Sequence, residues 1–178
     1  MRTFWITIVI ALLFVPGPGA QEGPAESNRT NMQKIAFLVG EWQGGGGISM
    51  GPTRSSFRSH ESVQSRLDGQ VLVIEGVHEG VDGAAVGKVV HHAIAIVSWD
   101  QEAGAYRFNS HMVNGRSGDF TGRYEDGAFV WSMTNPQAGQ IRYGIRLTDD
   151  GRWHEVGERS ADGQRWSQFF EMTLRRAP

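Results

Sequence analysis

The chain contains no cysteine. That excludes a disulfide framework, a thiolate metal site, a thiol nucleophile and a dithiol redox pair. It also lacks an excess of either charge: 17 Lys and Arg against 19 Asp and Glu leave a net charge of −2 at pH 7. Such a balance gives no electrostatic footprint for nucleic acid or an anionic membrane. No apolar run reaches the ~20 residues that a membrane-crossing helix needs. There is no Gly-x-Ser-x-Gly nucleophile elbow,. The 6 histidines show neither His-x-His nor His-x-x-x-His spacing, so no zinc motif is advertised and no metal is expected,.

The N-terminus has the layout of a secretory leader. Met1-Arg2 is basic, Phe4 to Val15 is apolar, and Pro16-Gly17-Pro18-Gly19-Ala20 is a small-residue exit,. Residues 1–20 are therefore expected to be a signal peptide removed after Ala20, leaving 158 residues in one domain,. No Cys follows the apolar run, so no lipid anchor is expected after cleavage. An exported chain without disulfides points to a bacterial periplasm or exterior. Residues 21–30, polar with Pro and Gly, are expected to form a flexible leader, and 31–178 a single barrel domain,.

What is abundant is turn chemistry. Five Asp-Gly pairs punctuate the chain, at Asp68-Gly69, Asp82-Gly83, Asp126-Gly127, Asp150-Gly151 and Asp162-Gly163. Asp-Gly readily takes the positive φ angles of a type I′ hairpin turn. Between the pairs lie short runs of period-two alternation, such as Ile141, Tyr143, Ile145 and Leu147 against Arg142, Gly144 and Arg146,. About ten strands follow, near 41–50, 56–67, 70–79, 87–99, 104–113, 117–125, 127–134, 139–148, 151–160 and 163–175. No connection is long enough for a crossover helix, so parallel pairing is not expected. The expected fold is all-β: a roughly ten-stranded antiparallel up-and-down barrel, which removes its own edges by closing. One helix, Asn31 to Val39, is expected in front of it as a plug over one end, with Met32, Ile35, Ala36 and Val39 at helical spacing,.

The segment Phe37-Leu38-Val39-Gly40-Glu41-Trp42 followed by Gln43 and four glycines resembles the opening of a calycin barrel. A phosphate cradle needs a preceding strand, a following helix and a Lys, and these glycines have none of them. The Trp99-Asp100 to Gly104-Ala105-Tyr106 hairpin and the closing Phe170-Glu171-Met172-Thr173-Leu174-Arg175-Arg176 extend the likeness. Together they resemble a bacterial lipocalin-like family of unknown function in the calycin superfamily. The resemblance implies a ten-stranded barrel with an internal cavity, and it implies no reaction. The neighbouring nitrobindins hold haem through a histidine near their last strands. Here the last strand has none, so haem would have to use His154, one strand earlier, or Met172. Haem stands as a minority alternative, and no other cofactor is expected.

Function is thereby directed to the interior. The expected occupant is a small, largely apolar molecule, with Trp42, Phe108, Trp131, Tyr143, Phe170 and Met172 as the apolar lining. Glu171 with Arg142 or Arg146 is the polar pair singled out, since a carboxyl in an apolar cavity needs a cation nearby to remain charged. An enzyme built on Glu171, an arginine and a histidine is the alternative to a binding protein. The structural alternative for the charged residues is a ladder on the solvent face. His91 and His92, adjacent on one strand, cannot both point inward.

Overall fold

The computed structural model describes residues 23–136 and 139–178. The expected signal peptide lies outside the described residues. Helix α1 (Pro24–Lys34) and a 3-10 turn (Ala36–Leu38) precede ten strands. These are β1 (Gly40–Met50), β2 (Thr53–Arg66), β3 (Val71–Gly80), β4 (Val89–Asp100) and β5 (Ala105–Met112). They continue as β6 (Ser117–Glu125), β7 (Ala128–Asn135), β8 (Gly139–Leu147), β9 (Trp153–Ser160) and β10 (Ser167–Arg176). Each strand pairs antiparallel with its sequence neighbours, and β10 returns to β1, closing the barrel. The up-and-down barrel expected from the hairpin pattern is the fold.

The turns reach positive φ in different ways. Asp126 (φ 50°) and Gly127 (φ 77°) are both left-handed, as a type I′ turn requires,. At 82–83, 150–151 and 162–163 only the glycine is. In the β2–β3 turn the left-handed stretch begins one residue early, at Leu67 (φ 51°).

The helix departs from expectation. It starts at Pro24, so residues 24–30 are helical rather than loose, and it ends at Lys34 rather than Val39. Pro24 favours a first turn, Glu26 sits at the positive end and Lys34 at the negative end,. Met32, Ile35 and Leu38 are spaced by three, which suits a 3-10 turn as well as an α-helix. All three are buried and seal one barrel end. Beneath them Trp42 donates from Nε1 to Leu38 O at 2.7 Å and meets Trp153 edge-on at 5.7 Å. Tyr106 Oη donates to Asn31 O at 2.7 Å, and Arg176 Nη1 to Val39 O at 2.8 Å.

The glycine run lies within β1. At Gly44 and Gly46 a Cβ would fall 2.3 Å from the carbonyls of Thr173 and Glu171 on β10. These glycines let β1 and β10 approach where the barrel closes. Among the described residues no helix is long and apolar enough to cross a membrane.

Candidate functional site

Period-two alternation sends one face of every strand inward. Away from the sealed end, the inward faces enclose a cavity of about 450 Å³. Its mouth carries Met112, Arg116, Ser117 and Met133, and its deep end Ile74, Ile145 and Trp153.

A belt of rings surrounds the cavity. Phe108 on β5 stacks on Trp131 of β7 at 4.6 Å, and Trp131 on Tyr143 of β8 at 4.5 Å. Phe170 on β10 meets Tyr143 edge-on at 5.6 Å and stacks on Phe57 of β2 at 5.6 Å. Phe57 lies flat on His78 of β3 at 4.4 Å, and His78 contacts His91 of β4 at 4.7 Å. The belt passes over strands that contribute no ring. A Cβ at Gly157 on β9 would fall 2.7 Å from Tyr143 and 2.8 Å from Phe170, and one at Gly46 would fall 2.9 Å from Phe57. Glycine at those positions is what lets the rings touch. The pairing of β9 with β10 slips between Gln168 and Phe170, so Phe169 also reaches Tyr143, at 5.7 Å,.

Polar groups interrupt the apolar wall on two sides. Glu61 on β2 and Glu155 on β9 are buried and line the cavity. Glu61 Oε1 accepts from Ser59 Oγ at 3.0 Å and lies 3.1 Å from His78 Nε2. Glu155 Oε2 accepts from Trp153 Nε1 at 3.2 Å. Burial pushes the Glu61 carboxyl up to about 8, against smaller opposing effects of Ser59 and His60. Burial, then the nearby Glu61, push Glu155 up to about 8 as well. Burial holds His78 down to about 4; burial, then His78 and His92, do the same for His91. All four groups are therefore mostly in their neutral forms at pH 7,. Burial and then Glu155 raise the Tyr143 hydroxyl above its ordinary value. Among the lining residues the sole Lys or Arg is Arg116, exposed at the mouth.

Of the residues singled out from sequence, Phe108, Trp131, Tyr143, Phe170 and Met172 line the cavity. Trp42 lies beneath the floor, fully buried against Trp153. The charged trio is on the outer wall. Glu171 lies 3.1 Å from His154 Nε2, and Arg142 pairs with Glu158 at 2.8 Å while covering the Trp166 ring at 4.0 Å. Arg146 is exposed. The pairing of Glu171 with an arginine inside the barrel is thus corrected: Phe170 and Met172 take the inward positions, which sends Glu171 out. His154 is outward for the same reason, which removes it as a haem ligand inside the barrel. The inward histidines are His78 and His91, with His92 outward on Glu75 at 2.9 Å. Among the described residues no group of three or more His, Asp or Glu is placed to hold a metal ion.

Of the inward carboxyls, sequence reasoning noted Glu61 as mid-strand without singling it out, and passed over Glu155. Their signal was parity: Glu155 stands between Trp153 and Gly157, and Glu61 between Ser59 and Val63, each on a buried face.

Fold and cavity together define a closed ten-stranded antiparallel barrel with a mixed aromatic and carboxyl interior. Rv2717c from M. tuberculosis, known as a crystal structure, is similar in fold, with a TM-score of 0.57 and 13% sequence identity. The match covers 83% of this chain and 98% of that one. No family model and no curated protein matches the sequence.

Proposed function

We propose that this is an exported, lipocalin-like barrel that binds a small, largely apolar molecule in its interior. The observation that carries this reading is the cavity of about 450 Å³, open at one end and walled by Phe108, Trp131, Tyr143 and Phe170. A space of that size suits one small guest, and flat ring faces favour a flat or alkyl-aryl one. The leader-like N-terminus and the absence of cysteine support export to a bacterial periplasm or exterior,. The Gly40-Glu41-Trp42 opening and the Phe170 to Arg176 ending support the lipocalin-like assignment.

Native mass spectrometry of the protein purified from its own host tests the binding, with a retained small molecule as the expected result. Protein that carries nothing, and whose tryptophan fluorescence no apolar probe quenches, would overturn it. Export predicts a mature N-terminus at Gln21.

A second reading is acid–base catalysis, and one contact favours it: His78 Nε2 lies 3.1 Å from the buried Glu61 carboxyl,. Recovery of the bound molecule chemically unchanged after incubation supports a binder, and recovery of a product supports an enzyme.

A further inference from the structure

We propose that the interior of this barrel selects a ligand carrying one basic amine on an aryl or alkyl-aryl body, with Glu61 and Glu155 as the groups that receive the ammonium. The proposal rests on the binding reading above and names its ligand class.

Both carboxyls are buried, at 6% and 8% exposure, and both face the same cavity. Glu61 adds to the upward push on the Glu155 carboxyl, in keeping with their lining one cavity. Neither has a Lys or Arg within salt-bridge distance among the described residues; the nearest basic group is His78, at 3.1 Å from Glu61. Each carboxyl also keeps one oxygen, Glu61 Oε2 and Glu155 Oε1, that makes no hydrogen bond among the described residues. The chain makes room for the first of these: a Cβ at Gly76 would sit 2.4 Å from Glu61 Oε2.

An isolated carboxylate is costly in such a place, and the chain avoids the cost by keeping the proton. A ligand cation removes the need. As it enters, a carboxyl gives up its proton to solvent and forms a charge-assisted hydrogen bond with the ammonium. No bond other than that O–H is broken. The ring faces above the carboxyls suit the same guest, since Trp131 and Tyr143 attract a cation as well as an apolar body. A neutral His78 and a neutral His91 add no competing positive charge. Arg116, the one Lys or Arg lining the cavity among the described residues, is at the mouth and exposed, where solvent screens it,. An anionic ligand would meet the reverse: two carboxyls and, among the described residues, no interior Lys or Arg.

Three matched probes test this by calorimetry on the mature protein at pH 7: 4-phenylbutylamine, 4-phenylbutanol and 4-phenylbutyrate. The amine is expected to bind at least about tenfold more tightly than the alcohol, a gain of about 1.4 kcal/mol. It should release close to one proton, read as a dependence of binding heat on the buffer's ionisation enthalpy. The alcohol should release none. Tightening of the amine from pH 6 to 8 is also expected. The groups facing the carboxyls are Ser59 and His78 beside Glu61, Trp153 and Tyr143 beside Glu155, and His60 from the outer wall. Glu155→Gln and, as a second variant, Glu61→Gln should lose the amine's advantage over the alcohol and the proton release that accompanies it. If alcohol and amine bind equally, or the acid binds best, the amine assignment falls while the binding reading stands. If none of the three binds, the amine assignment falls, and the retained-molecule and quenching tests above decide the binding reading.

Discussion

Gly76 shows how one missing side chain shapes this interior. It faces Glu61 across the β2–β3 pair, and its inward space is filled by the Glu61 carboxyl. Gly76→Ala places a methyl 2.4 Å from Oε2, far inside contact distance. The carboxyl must then swing away from Ser59 and His78, and a loss of about 1–3 kcal/mol is expected, the usual range for overpacking. A lower urea midpoint with an unchanged slope would show it. Gly127→Ala makes no comparable clash, because nothing lies within 4 Å of its Cβ, and its cost comes from its φ of 77° instead. A Gly76→Ala variant as stable as the parent would mean that Glu61 does not occupy that space. At this scale the sequence was only partly informative. Five of the lining aromatic and methionine residues were readable from alternation, because bulky apolar side chains mark a buried face. Glu61 and Glu155 were not, because a carboxyl on a strand reads as a solvent-facing residue unless the parity of its neighbours is given priority.

The N-terminal element works as a plug. Ile35 and Leu38 are fully buried in one core cluster with Trp42, Trp153 and Tyr106, and Leu38 O accepts the Trp42 bond. Leu38→Ala should cost about 2–5 kcal/mol, the range for a truncated core leucine. Tyr106→Phe removes the bond to Asn31 O and should cost about 1 kcal/mol. The two effects should be distinguishable by thermal unfolding, and Leu38→Ala should also raise the binding of an apolar dye as the sealed end loosens. Equal and small effects would place the helix outside the folding unit. The plug was legible in the sequence, but its bounds were not. The i, i+3 spacing of Met32, Ile35 and Leu38 fits two kinds of turn, and local propensity alone does not choose between them. The strands were read more closely, since left-handed turn residues that local chemistry specifies separate successive strands.

For the whole molecule, the interior carries titrating groups of opposite sense, and their sum sets a stability profile. Glu61 and Glu155 take up a proton below 4.5 when unfolded and below about 8 when folded. Their contribution to stability is therefore full below 4.5 and is lost as pH rises towards 8. His78 and His91 run the other way, from 6.5 unfolded to about 4 folded. Theirs is full above 6.5 and is lost as pH falls. Two carboxyls and two imidazoles thus oppose each other between 4.5 and 6.5, and stability should be nearly flat there. The turn carboxyls held low by their partners, such as Asp150 by Arg152 and Asp162 by the Arg165 backbone, change stability only below that window. Above 6.5 the imidazoles are neutral in both states, and only the buried carboxyls still act. Stability should then fall by about 2 kcal/mol per carboxyl between pH 6.5 and 8. For a chain of this size each such loss lowers the melting temperature by several degrees. Thermal unfolding followed by circular dichroism from pH 5 to 9 should show a plateau and then a decline on the alkaline side. In Glu155→Gln the decline should shrink by roughly half, because one of the two titrating carboxyls is gone,. A melting temperature that rises from pH 6.5 to 8 in the parent protein would mean that these carboxyls are already ionised in the folded barrel, and that something inside it compensates their charge.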